Sequence, residues 1–133
     1  MLIIPRRLFD EMIAHAREED PLECCGLLFG IDEKVQSLFR ITNRERSPER
    51  YLMEPHEQLT AFKTMRKEGL SHLAIYHSHT HSPAVPSATD IRLAFYPETR
   101  YIIISLEKKE SPVVRTFRIL EEAVSEESFK VEP

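Results

Sequence analysis

No stretch of this chain approaches the roughly 20 consecutive apolar residues that cross a bilayer, so no membrane-spanning helix is expected. The opening residues, MLIIPRRLFDE, place their apolar side chains ahead of their charges, the reverse of a secretory leader, and the expected compartment is the cytoplasm. Only two cysteines occur, Cys24 and Cys25. Adjacent residues rarely meet the geometry of a disulfide, so both read as small buried fillers in an apolar stretch. Basic charge is not in excess either: the formal net charge of -4 leaves no electrostatic footprint for nucleic acid. Arg44, Arg46 and Arg50 form a local basic cluster that reads as a solvated loop. Internal repeats and low-complexity tracts are also missing. What remains is the composition of a globular protein, and 133 residues suit one core, so a single domain over 1–133 is expected.

The apolar pattern then orders the elements. Leu2 to Ile4 suits a short strand, and Pro5 opens a helix whose Leu8, Met12, Ile13 and Ala16 share one face. Cys24 to Gly30 has strand length, and residues 31–34 turn the chain back into an alternating strand over Val35 to Ile41, a hairpin. A charged loop over 43–50 and a short extended piece at Tyr51 to Met53 follow. Pro55 and Gly69 bracket a second helix with Leu59, Phe62 and Met65 on one face. Leu73 to Tyr76 is a buried strand that runs into His77, Ser78 and His79. Ser87 opens a third helix with Ile91, Ala94 and Phe95 on one face, stopped by Pro97. Strands at 101–106 and 113–120 come next, and a final edge strand with Phe129 and Val131 inward closes the chain. The expected fold class is α/β, a mixed sheet flanked by helices, with a site where strands end and helices begin.

Three of the six histidines fall between positions 77 and 81. On an extended strand end His77 and His79 point to the same side, and Ser78 points away. Ser87 and Asp90 are neighbours on one face of a helix start, and the proline-bearing loop can fold that face over the imidazoles. Two imidazoles and one carboxylate make a three-ligand set with a fourth position left to water, the pattern of catalytic rather than structural zinc. Zinc lowers the pKa of water from about 15.7 to near 7 and polarises a carbonyl. Glu23, just ahead of an apolar strand, is the candidate proton carrier.

Each residue also has an ordinary explanation. Ser87 and Asp90 fit a capping box, with Asp in place of the usual Glu. A histidine at a strand end is commonly just hydrogen-bonded, and a lone glutamate is commonly surface charge. The joint pattern weighs against these: His-x-His-x7-Ser-x-x-Asp arises by chance on the order of once in two thousand chains of this composition. His-Glu-x-x-His is absent, as are the His-x-Glu and Pro-Cys-x-x-Cys elements of the zinc deaminases.

Glu23, His77, His79, Ser87 and Asp90 resemble the JAMM signature of the MPN-domain metalloproteases, and the segments around them, PLECCGLLFG, IYHSH and PSATD, are similar to the small prokaryotic members. The resemblance runs from about residue 2 to residue 120. It implies an MPN fold similar to that of the cytidine deaminases, with Zn2+ on His77, His79 and Asp90. It further implies that Glu23 handles the protons of water and leaving amine while Ser87 hydrogen-bonds the oxyanion, as a hydroxyl aimed at developing charge should. Thr80 stands where many members have proline, and His81 beyond it reads as solvent-exposed. The implied reaction is hydrolysis of a peptide or isopeptide bond after the Gly-Gly tail of a ubiquitin-like or sulfur-carrier protein. Such a tail can lie extended against a sheet edge, for which Tyr51 to Met53 is the candidate. The alternatives are a non-catalytic MPN interaction module, disfavoured because every ligand and the glutamate are present, and a JAMM-type DNA-repair or metabolic protein, disfavoured by the lack of a basic face.

Overall fold

The computed structural model describes residues 1–133. Strand β1 (Leu2–Pro5) leads directly into helix α1 (Arg6–Glu19), which begins after Pro5, a residue whose ring fixes φ ahead of the first turn. Strands β2 (Cys25–Ile31) and β3 (Lys34–Ile41) form the expected antiparallel hairpin, turned by Asp32 and Glu33, both at positive φ. Helix α2 (Pro55–Lys67) has proline in its first turn, a Glu54 side chain that accepts from Glu57 N–H, and Gly69 at φ 70 beyond its end. Strand β4 (Ser71–His79) is followed by a loop, the short helix α3 (Ala88–Arg92), and then strands β5 (Arg100–Ser105) and β6 (Val113–Leu120). Strands β7 (Ala123–Glu127) and β8 (Phe129–Glu132) complete the chain.

All eight strands belong to one mixed sheet, ordered β7-β6-β5-β4-β2-β3-β1-β8. Its two outermost strands are joined by a single residue, Ser128, so the sheet must curl until its edges nearly meet. Helix α1 lies in the concavity, since it touches β1, β3, β4, β5 and β8 together. Its Leu8, Met12 and Ala16 are buried with Leu28, Tyr76, Ile102 and Ile104, and Ile13 packs against this cluster from its rim. Helix α2 covers the other face, where Leu27, Phe29, Ile41, Ala61, Ile75 and Tyr101 form a second core. At the end of the curl, the buried guanidinium of Arg100 pairs with Glu33 and Glu127, tying β5 to the hairpin turn and to β7.

Three expectations change. The third helix stops at Arg92, so Ala94 and Phe95 lie beyond it, and Phe95 is exposed. Five residues give one turn, too little to carry the stripe expected of a longer helix. In α2 the inward residues are Ala61, Phe62 and Met65, and Leu59 is exposed, because the sheet-facing stripe sits to one side of it. The acid-rich end forms two strands rather than one: Glu121 and Glu122, at positive φ, turn β7 back on β6, and β8 then pairs in parallel with β1. Phe129 does face the core, as expected.

Gly26 on β2 lies opposite Tyr76 on β4, and a Cβ there would meet the Tyr76 ring at 2.2 Å. Only glycine leaves room for that fully buried ring, whose hydroxyl lies 2.7 Å from His15 Nδ1 on α1.

Candidate metal centre

Alternation along β4 divides its residues between the two faces: Ala74 and Tyr76 join the α1 core, and Ile75 joins the α2 core. His77 and His79 continue the second set, past the rim of α2, where the sheet face is open to the loop that follows. That loop returns through Ala84, buried against Ile103 and Phe117, and delivers α3 beside the histidines.

Asp90 arrives through the capping box that its sequence position suggested. Ser87 Oγ accepts from Asp90 N–H at 3.0 Å, and Asp90 Oδ2 accepts from Ser87 N–H at 2.9 Å. The cap and the site are therefore not rival explanations. The cap fixes the carboxylate, and the same Oδ2 lies 2.9 Å from His79 Nε2 and 3.2 Å from His77 Nε2. The two Nε2 atoms are 3.3 Å apart.

This triangle asks for a cation. His79 Nδ1 faces the Pro83 carbonyl at 2.8 Å, and a carbonyl can only accept, so Nδ1 carries the hydrogen and Nε2 presents a lone pair to the carboxylate. A lone pair and a carboxylate oxygen at 2.9 Å repel unless a proton or a metal ion lies between them. Burial works against a charged His79, but its bonds to Asp90 and Pro83 raise its pKa on balance. Burial likewise works against ionised Asp90, yet the His77 charge and the bonds from both imidazoles and from Ser87 N–H hold its pKa well below the usual carboxylate range. Ligand atoms of a tetrahedral zinc lie about 3.3 Å from one another, given zinc–nitrogen and zinc–oxygen distances of about 2.0–2.1 Å. Edges of 2.9, 3.2 and 3.3 Å fit that geometry with little movement. The Nδ1 hydrogen bond of His79 is the usual outer support of a metal-bound imidazole. These three residues are the group whose ligand atoms converge enough to hold a metal ion.

Glu23 lies just before β2 on the same sheet face as the histidines, by alternation from Cys25, which is paired with His77. Cys24 C=O accepts from Ser78 N–H and Cys24 N–H donates to Ser78 Oγ, which keeps the two strand ends in step. The carboxyl is buried, and its Oε1 has no protein partner. Burial, opposed by the His79 charge and reinforced by Asp90 and Glu49, raises its pKa to about 8. Ser87 is half-buried, and because its Oγ accepts from Asp90 N–H, its own hydrogen remains free to donate. His81 is exposed and stands outside the cluster, as expected. Arg44, Arg46 and Arg50 are exposed too.

Sequence reasoning named Tyr51 to Met53 only as a sheet edge, and missed their side-chain contacts at the site and the neighbours Leu93 and Tyr96. Tyr51 stacks on His77, with ring centroids 4.7 Å apart and planes at 30°. A cavity of about 240 Å³ opens beside Asp90, lined by Tyr51, Leu52, Met53, Leu93, Phe95 and Tyr96 among others. The one available signal was the aromatic and aliphatic content of 51–53 and 93–96. Thr80, in place of proline, donates its hydroxyl to the Pro48 carbonyl at 3.0 Å and so ties the charged loop to the end of β4. At the expected sheet edge, Leu52 is already paired: its N–H donates to Asn43 Oδ1 and its C=O accepts from Arg44 N–H. Glu54 N–H donates to Thr42 C=O on the same side, so Met53 between them turns its backbone groups the other way.

The chain has relatives among known proteins. Residues 5–120 match the family described as prokaryotic homologs of the JAB domain. The chain is 37% identical over 133 residues to the CysO-cysteine peptidase of Mycobacterium tuberculosis, covering 98% of this chain and 91% of that protein. It is 44% identical over 95 residues to a probable TtuB-protein conjugate cleaving protease of Thermus thermophilus, covering 71% and 64% of the two chains. Over 90 residues it is 36% identical to the desampylase of Pyrococcus furiosus, 68% of this chain and 64% of that one. Among solved structures, a Desulfitobacterium hafniense protein superposes with a TM-score of 0.89 at 43% identity, over 99% of this chain and 93% of the other. A JAB1/MPN domain protein from Archaeoglobus fulgidus shares the fold, with a TM-score of 0.67 at 18% identity over 98% of both chains. With a buried His-His-Asp triangle at the end of a curled mixed sheet and a family match over most of its length, the chain belongs to the prokaryotic JAB family, within the JAB1/MPN fold.

Proposed function

We propose that this protein is a zinc-dependent hydrolase of peptide or isopeptide bonds, cleaving after the Gly-Gly tail of a ubiquitin-like or sulfur-carrier protein. The observation that carries the reading is the convergence of His77 Nε2, His79 Nε2 and Asp90 Oδ2 within hydrogen-bonding distance of one another, beside a buried carboxyl with an unpartnered oxygen. A divalent ion held there supplies Lewis acidity toward a carbonyl and toward water.

The chain's own groups do the rest. Glu23 takes a proton from the attacking water and returns one to the departing amine, the work of a single group in two successive steps. Ser87 donates its free hydroxyl hydrogen to the carbonyl oxygen as charge develops there. Tyr51 shields His77 from water and borders the cavity in which the tail residues lie. Met53, with its backbone groups turned away from 42–44, offers the main-chain pairing that an extended Gly-Gly tail needs. The names of the relatives, a CysO-cysteine peptidase, a TtuB-conjugate protease and a desampylase, support the same class of substrate.

Glu23→Gln tests the reading directly. It should leave about one zinc per chain by metal analysis and reduce turnover of a Gly-Gly conjugate by roughly 10²–10⁴-fold, the usual contribution of a positioned acid–base group. Turnover at the parent rate would reject Glu23 as proton carrier.

A further inference from the structure

Glu23 precedes β2 by two residues, so the sheet ladder does not hold its backbone. What holds it is the loop over 43–50. Glu23 N–H donates to Ser47 C=O at 2.9 Å, and Glu23 C=O accepts from Asn43 Nδ2 at 3.0 Å. Asn43 is buried, and its amide makes four side-chain bonds, all to the main chain. Nδ2 donates also to Arg50 C=O at 3.1 Å, while Oδ1 accepts from Glu45 N–H and from Leu52 N–H, each at 3.0 Å. A primary amide has two donor hydrogens and two acceptor sites in its plane, and here all four are used. No other amino acid of this size offers that set: aspartate lacks the donors, and alanine lacks everything.

Those four bonds join three parts of the site. The first is the residue proposed to move protons. The second is the loop that covers it, which Thr80 also pins at Pro48. The third is the extended piece over 51–53, whose Tyr51 ring lies on His77 and whose Leu52 and Met53 line the cavity. We propose that Asn43 is a positioning residue that sets the Glu23 carboxyl and the tail-binding edge in register with each other, its donor half serving the proton carrier and its acceptor half serving the edge. It touches none of the three metal-binding side chains.

This inference rests on the hydrolase reading, and the two halves of the amide can be tested apart. Asn43→Asp keeps an acceptor for Glu45 and Leu52 N–H but has no hydrogen to give Glu23 or Arg50 C=O. It should lower kcat about tenfold, as small displacements of a proton-transfer group do, with KM changed less than about threefold. Asn43→Ala removes both halves and should lower kcat similarly while raising KM roughly fivefold or more. The assay substrate is a Gly-Gly-ending carrier protein extended by one amide-linked cysteine. Amide hydrogen exchange supplies a readout that needs no turnover: Glu45 and Leu52 N–H should exchange at least about tenfold faster in Asn43→Ala and stay protected in Asn43→Asp. Val35→Ala, a cavity in the α1 core away from the site, controls for loss of stability and should leave kcat and KM near the parent values. A parent-like kcat in Asn43→Asp overturns the proposal, as does a Val35→Ala variant with the same kcat loss. Failure of the parent protein to cleave this substrate would instead reject the hydrolase reading on which it stands.

Discussion

Two pairs of partly or fully buried histidines occupy this small fold and meet opposite fates. His15 sits in the α1 core against the Tyr76 hydroxyl, and His72 sits among the rings of Phe29, Phe62 and Tyr96. Burial in those apolar surroundings lowers both to a pKa of about 4, with the Arg40 charge adding to the effect at His15. They are neutral fillers. His77 and His79 lie on the same strand as His72, but their ring nitrogens converge on one carboxylate oxygen. The difference is not depth in the protein. It is whether a neighbouring element brings a carboxylate into contact with the ring nitrogens, and the element that does so is a single helical turn held by a capping box.

The comparison can be broken most severely at that turn. Asp90→Ala removes both the anionic corner of the triangle and the bond to Ser87 N–H, and bound zinc should fall from about one per chain to near none. Conjugate cleavage should fall by on the order of a thousandfold or more, since the metal's contribution goes with it. His77→Ala should behave alike. Retained zinc in either variant would mean that the ion sits elsewhere.

Disturbing the filler side should do the opposite, costing stability while leaving the metal in place. Gly26→Ala pushes a methyl group into the Tyr76 ring, which is fully buried and has nowhere to move. A loss on the order of 2 kcal/mol in denaturant unfolding is expected, with about one zinc still bound in the folded fraction. An unchanged midpoint would show that the β2–β4 contact is looser than its geometry implies.

A smaller and pH-dependent effect sharpens the contrast. The unfolded chain protonates His15 near pH 6.5, whereas the folded chain resists until about pH 4. The unfolded state therefore binds the extra proton first as pH falls, so folding stability is complete above about 6.5 and declines between 6.5 and 4. His15→Gln keeps a partner for the Tyr76 hydroxyl and should flatten that decline by on the order of 2 kcal/mol, measured by urea unfolding across the window. An identical slope in the variant would assign the acid sensitivity to other groups, His72 first among them.

Much of the fold and of the candidate site is legible in the sequence, for physical reasons. The strands around the site have unmistakable alternation or full burial, and His-x-His with Ser-x-x-Asp needs only period two and one helical turn to be interpreted. Pro5, Pro55 and Gly69 marked the helix limits because each acts through local φ preference. The rest depended on contacts distant in sequence. Phe95 has the spacing of a helical face, yet the chain leaves the helix after Arg92, because only the capped turn is stabilised from outside. The two strands at the acidic end depend on a curl that no local pattern encodes. Asn43 looked like any polar loop residue, since its four bonds run to backbone groups as far away as Glu23. Leu52 has the sequence of a free edge, yet the fold takes up its N–H and C=O.

The pairing of β1 with β8 makes closing the sheet a contact of very long range, since Leu2 lies across from Phe129. Until β8 docks, one flank of β1 stays open and Leu2 and Ile4 lack part of their cover. Loop-closure entropy delays contacts so distant along the chain, so the β2–β3 hairpin should form before the sheet curls shut, and the curl is the slow step of folding.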